Sequence, residues 1–207
     1  MVERDPYWPA QLAVALVVGL HFGLANKLLI GPTWVLPSIE AVLLVILVVV
    51  TPNTKSPARD HWHRTLGLAI TGFVSVVNVI ALGIVANRLV NGGGGIAGHR
   101  LIASGVLIWA TTVLIFAVWY WEMDRRDPAN PITPPHFLFS RMGTDWEKDW
   151  EPRFGDYLYL SLTNSVAFSP TDTLPLRLGA KAVMGLQSLA ALTTIGLVIA
   201  RAVNILG

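Results

Sequence analysis

Residues 169–172, Ser-Pro-Thr-Asp, put two hydroxyls and one carboxylate within four positions, between a short apolar segment and a long apolar run. Such oxygens are the groups that meet a cation once it has shed part of its water. In the run that follows, Gln187, Ala191, Thr194, Val198 and Arg201 recur at steps of four and three, a narrow polar-to-small stripe on one helix face. The stripe suits the lining of a water path, with Gln187 and Thr194 as lining candidates. It equally suits a helix–helix contact, since small residues let membrane helices approach closely. Glu40 is a third candidate, a carboxylate among apolar neighbours. Inside a bilayer such a group costs several kcal/mol and marks a functional position by default. It can pair with Lys27, Arg100 or Arg201, share a proton in a relay, or sit at the boundary near Pro37. His21 reads as hydrogen-bonded packing. Asp60-His61-Trp62-His63 has a ligand-like spacing but no further ligands clustered with it, so it reads as a wet headgroup-level loop and no metal is expected. Residues 91–95 are glycine-rich but lack the lysine and threonine of a phosphate loop, and no nucleophile elbow or Ser/His/Asp set is present. No enzyme activity and no cofactor are expected, Glu40 and His21 being the candidate acid–base groups.

The elements that must position these residues follow from hydropathy. Of 207 residues, 53% are hydrophobic and 14% charged, against roughly 25% charged in a soluble domain. This is the composition of a polytopic, all-α membrane protein in contact with lipid. The net charge of +2 is too small to suggest a nucleic-acid partner. The absence of cysteine excludes structural disulfides. The first apolar run has no small-residue cleavage site, so no cleavable signal peptide is expected. Arginine-over-lysine usage with much Ala, Val and Leu fits a GC-rich bacterium, hence the bacterial inner membrane.

Spans are expected at about 9–29, 34–51, 65–90, 100–120 and 176–206, with polar loops at 51–64 and 122–153. Residues 154–168 are apolar yet too short for a bilayer core, which takes about 20 helical residues. A short helix, a polar turn at 169–175 and a long outgoing helix make a re-entrant loop, about five transmembrane helices being completed by a pore-like half-helix. Non-helical backbone survives at membrane depth where protein buries it or where it lines water. The positive-inside rule puts the loops with Lys55, Arg59 and Arg64 and with Arg125 and Arg126 in the cytoplasm, so that the half-helix enters from there.

Residues 159–176 resemble the pore signature of tetrameric potassium channels, Y-F-S-F-T-T-L-T-T-I-G-Y-G-D-I-V-P-L. Without a gap, Tyr159, Ser161, Thr163, Asp172, Pro175 and Leu176 fall on identical letters, and Leu162, Phe168 and Leu174 on similar ones. The sequence also resembles a group of small multi-pass bacterial membrane proteins that share the Ser-Pro-Thr-Asp loop. The channel resemblance implies a pore domain at 100–207 behind three N-terminal transmembrane helices at 1–99, a homotetramer, and a pore loop entering from outside, opposite to the charge rule. It implies Thr163, Ser169, Pro170, Thr171 and Asp172 as filter positions. The filter glycines of that family stand here as Ser169 and Thr171, and its tyrosine as Pro170. Glycine reaches φ > 0 without steric cost, whereas proline is locked near −65°. A ladder of carbonyls is therefore not expected, and selection would fall to the side chains, with Asp172 in a ring attracting monovalent cations. Asp172 is also placed to cap a helix starting near Pro175. The sequence thus supports passive cation permeation through an atypical filter, or a non-conducting scaffold or partner-binding protein that keeps a pore-like fold.

Overall fold

Helix α1 (Trp8–Leu28) opens behind the Tyr7 carbonyl, which accepts the Gln11 N–H at 3.1 Å. In this computed structural model the residues described are 6–28, 39, 41–42, 45, 57–90, 98–124, 134–144, 150–166 and 172–206. Glu40, Ser169, Pro170 and Thr171 lie outside them, as does most of the expected span at 34–51. Helix α2 (Pro57–Val90) starts on a proline, whose missing N–H costs nothing in a first turn. Residues 57–64, expected in a polar loop, are therefore helical backbone. Helix α3 (Gly98–Asp124) extends beyond the expected 100–120 at both ends.

Three helices contain stretches long and apolar enough to cross a membrane: Thr65–Asn87, Ile102–Asp124 and Leu178–Val203. The apolar part of α1, Trp8–Gly23, is shorter. Five spans were expected; three candidates are found among the described residues. Only 28% of the first stretch and 22% of the third are buried within the chain. Val76, Val79, Ile80, Leu186, Leu189 and Leu192 face outward, where hydrocarbon suits them and water does not. This is the surface of a mostly helical membrane protein.

The segment after α3 departs from the expected polar connector. It contains strand β1 (Phe137–Phe139), which pairs antiparallel with β2 (Thr173–Pro175) in the register Phe137↔Pro175, Leu138↔Leu174 and Phe139↔Thr173. Alternate residues of a strand face opposite sides. Phe137 and Phe139 are buried accordingly, while Leu138 points out. The pairing is continued by Ser140 N–H to the Asp172 carbonyl at 3.0 Å and Leu176 N–H to the His136 carbonyl at 2.8 Å. Part of the expected turn at 169–175 is thus strand.

Helix α4 (Phe154–Val166) is a half-length element of 13 residues, about 20 Å long at 1.5 Å per residue. Its start is fixed by Asp156, whose Oδ2 accepts the Arg153 N–H at 2.7 Å while the Asp156 N–H donates to the Arg153 carbonyl at 2.9 Å. The acidic side chain also complements the positive end of the helix dipole. Helix α5 (Leu178–Leu206) follows β2, starting two residues later than expected. Asp172 is therefore no cap of that helix; it is an exposed residue ahead of β2. Helix α3 is the centre on which α1, α2, α4 and α5 all pack. One apolar core, including Val17, Ile70, Ile115, Tyr120, Phe137 and Leu160, runs through them.

Candidate functional site

The geometry of α4 follows from where its ends touch α3. Phe154 packs edge-on against Trp121, ring centroids 6.1 Å apart. Two turns later the Ser161 hydroxyl donates to the Val113 carbonyl at 2.7 Å. From Trp121 to Val113 is eight residues of α3, about 12 Å along its axis. The chain then comes back: Thr173 pairs with Phe139, and the ring of Phe137 meets those of Tyr120 and Tyr157 at 5.2 and 6.3 Å. Gly179 lies against Met123 at the start of α5, and Gly105 against Val198 near its end, so α3 and α5 are antiparallel. Helix α4 enters beside the C-terminal end of α3, and α5 begins at that same end.

Where α4 ends, a polar cluster joins three helices. Gln187 on α5 is fully buried, and its side-chain amide is used on both sides. Its Oε1 accepts from the Tyr120 hydroxyl and from Asn164 Nδ2, the latter at 3.0 Å. Its Nε2 donates to Ser161 Oγ at 2.7 Å, to the Ser161 carbonyl at 2.9 Å and to Ser165 Oγ at 2.7 Å. Asn164 Nδ2 also reaches the Met184 carbonyl at 3.1 Å, and its Oδ1 accepts from the Ser188 hydroxyl at 3.2 Å. Tyr120, Ser161 and Ser165 are fully buried, and Asn164 is 2% exposed. In a low-dielectric interior each such bond is strong, and each group left without a partner costs about 1–3 kcal/mol.

Two further ties hold α3 at its neighbours. Asn78 on α2 donates to Thr112 Oγ1 at 2.9 Å and accepts from Thr111 Oγ1 at 2.6 Å. Asp124 at the end of α3 accepts from the His136 N–H at 2.5 Å and the Tyr157 hydroxyl at 2.7 Å, binding β1 and α4 to α3 together.

Of the expected site residues, Thr163, Asp172, Gln187 and Thr194 are among the described ones. Gln187 lies in the cluster and offers no open face to water. Thr194, 2% exposed, bonds back to the Ala190 carbonyl at 2.7 Å. Thr163 is half-buried and bonds back to the Tyr159 and Leu160 carbonyls, both at 3.0 Å. Asp172 is exposed beside the strand pair. The structure adds Tyr120, Asn164, Ser165 and Ser188. Their signal was present in the sequence: Ser161, Asn164 and Ser165 share one face of a short helix whose other positions, Tyr159, Leu162 and Val166, are apolar and outward. It also adds Glu122, 3% exposed, which hydropathy assigned to the connector.

No family model, curated protein or solved structure matches this chain.

Proposed function

We propose that this chain is a non-conducting scaffold or partner-binding protein of the bacterial inner membrane, in which α4 is a fixed wedge that dips into the bilayer and returns. The observation that carries this reading is the closure of the Gln187 cluster. The buried polar groups on α4 are hydrogen-bonded to α3 and α5 of the same chain. A group that must exchange partners with a passing ion cannot be tied down in this way without slowing it. The outward face of α4, with Tyr159, Leu162 and Val166, is apolar and suits lipid or the helix of a partner. The test is ion flux: purified protein in liposomes is expected to leak sodium and potassium no faster than protein-free vesicles. Leak proportional to protein content would overturn the proposal.

The path of α4 favours a second reading, passive permeation of cations around a common axis of four copies with Asp172 at its mouth. One copy cannot enclose such an axis. A tetramer in a native-like bilayer, together with flux that falls on Asp172→Asn, would select this reading. A monomer or dimer with no flux would select the first.

A further inference from the structure

The end of the bundle where α3 begins is used by neither reading, and it gathers cations. Helix α1 runs antiparallel to α3, since Tyr7 meets Trp121 while Val14 and Val17 share a small cavity wall with Leu114 and Val118. Lys27 follows in the last turn of α1. Helix α2 is antiparallel to α3 as well, with Gly67 against Glu122 and Val85 packed on Ile108. Arg88 follows in the last turn of α2. On α5, Arg201 lies one turn past Val198, which faces Gly105. Arg100 is in the first turn of α3 itself. At about 1.5 Å per residue, these four positions fall within about 8 Å of one another along the bundle axis. The headgroup layer on either side of a bilayer is roughly 5–8 Å thick. Helices α1, α2 and α5 all pack on α3, and α2 touches both α1 and α5, so the cationic positions form an arc around α3. No carboxylate among the described residues lies at this end: Asp60, Glu122, Asp124, Glu151, Asp156 and Asp172 all belong to the other. Arg100 is exposed. The Nε of Arg201 is buried with no hydrogen-bond partner in the chain. A cationic donor shut away from water is expensive until an anion meets it.

We infer that this end of the bundle binds the phosphate of an anionic phospholipid within the arc of Lys27, Arg88, Arg100 and Arg201. The guanidinium fork matches phosphate oxygens two at a time, and it is the group of choice for a partly desolvated anion. Basic pockets between membrane helices take anionic headgroups for this reason. A zwitterionic headgroup carries its own ammonium, which an arc of cations repels. A headgroup with net negative charge brings no such penalty. The lipid phosphate lies at the same depth as the arc, so binding asks for no displacement of the helices. It requires only that α2, α3 and α5, which contain the apolar stretches, cross the membrane. Conduction or its absence does not bear on it.

The experiment is thermal unfolding of the full-length protein in a neutral detergent at constant ionic strength, titrated with phosphatidylglycerol, phosphatidylcholine or inorganic phosphate. The unfolding temperature is expected to rise saturably with phosphatidylglycerol, by about 5 °C or more at hundredfold excess over the dissociation constant. Phosphatidylcholine and inorganic phosphate are expected to give clearly smaller rises. An equal rise with phosphatidylcholine overturns the inference, and an equal rise with inorganic phosphate makes the site one for a free anion and overturns the lipid. No rise with any of them, as when a carboxylate of the chain already neutralises the arc, overturns it too. The double variant Arg100→Gln, Arg201→Gln is expected to need about tenfold more phosphatidylglycerol for half the rise. Lys181→Gln, at the other end of the bundle and exposed, is expected to leave that midpoint unchanged. A double variant with the original midpoint, or a Lys181→Gln protein shifted as far, overturns the inference. If the double variant does not fold, Arg100→Gln alone removes an exposed side chain and is expected to need several-fold more lipid. An unchanged midpoint there overturns the inference as well.

Discussion

Gln187 grips Ser161 twice, its Nε2 donating to the serine hydroxyl at 2.7 Å and to the serine carbonyl at 2.9 Å. A hydroxyl and a carbonyl of the same residue thus answer to one amide on the neighbouring helix. The Ser161 carbonyl lies five residues before the end of α4, inside its ladder, so it accepts the Gln187 bond in addition to the helix's own. Asn164 and Ser165, in the last turn of α4, join the same amide through their side chains, so α4 is anchored close to where its own ladder runs out.

Removing that amide leaves several groups stranded at once. Gln187→Leu keeps the size of the side chain but deprives Tyr120, Asn164, Ser161 and Ser165 of a partner. The expected loss is about 3–5 kcal/mol, from two or three buried groups at about 1–3 kcal/mol each, reduced by local rearrangement. Thr193 is the control: it is exposed and bonds back to the Leu189 carbonyl at 2.8 Å. Thr193→Ala is expected to change stability by less than about 0.5 kcal/mol. Denaturant unfolding followed by tryptophan fluorescence compares the two. Equal effects would show that the cluster contributes nothing special.

The contact between α3 and α5 rests on the absence of one atom. A Cβ on Gly105 would collide with Cγ2 of Val198. Valine is stiff about χ1, so it cannot swing clear cheaply. Gly105→Ala is expected to destabilise by about 1–3 kcal/mol through overpacking. Val198→Ala made alone opens a small void. In the double variant the new methyl fills part of the space the valine vacates, so the two losses are expected to be clearly less than additive. A double-mutant cycle measures this, and strict additivity would place the two residues out of contact.

Much of this architecture is written locally. The apolar runs of α1, α3 and α5 show their extent within a few residues, and the start of α4 at Phe154 coincides with the sequence expectation. Helices declare themselves through neighbours three and four positions away, which any reader of the chain can count. What stayed hidden depends on partners remote in sequence. Phe137-Leu138-Phe139 is too short to announce a strand until Thr173–Pro175 lies beside it. Gln187 was legible as polar and inward, but its neighbours Tyr120 and Ser161 are 67 and 26 residues away. Glu122, next to Asp124, Arg125 and Arg126, reads as the start of a wet loop. The length of α3 and its packing against α1 and α2 bury it instead.

The strand pair gives the connector a structural weight that its composition conceals. Phe137 is fully buried against Tyr120 and Tyr157. Phe137→Ala is expected to cost about 3–5 kcal/mol, the usual loss for a buried phenylalanine. Leu138, on the opposite side of the same strand and 39% exposed, is expected to tolerate alanine with a far smaller loss. Thermal unfolding of both variants decides whether β1 belongs to the core or merely lies upon it.

The proposed dip and return of α4 can be tested without any assay of activity. The chain has no cysteine, so single cysteines report only their own positions. Gly155, ahead of the dip, and Leu178, after the return, are both exposed and belong to the end where α3 finishes. Val203, exposed near the end of α5, belongs to the other end. In oriented vesicles Gly155→Cys and Leu178→Cys are expected to react with an impermeant thiol reagent from one side, and Val203→Cys from the opposite side. Val166→Cys, exposed within the chain but at the inner end of α4, is expected to react at least tenfold more slowly than Gly155→Cys, since a thiolate forms poorly away from water. Labelling of Gly155→Cys and Leu178→Cys from opposite sides would mean that the segment crosses the bilayer. The cluster around Gln187 would then lie along a full span, and α4 would be no wedge.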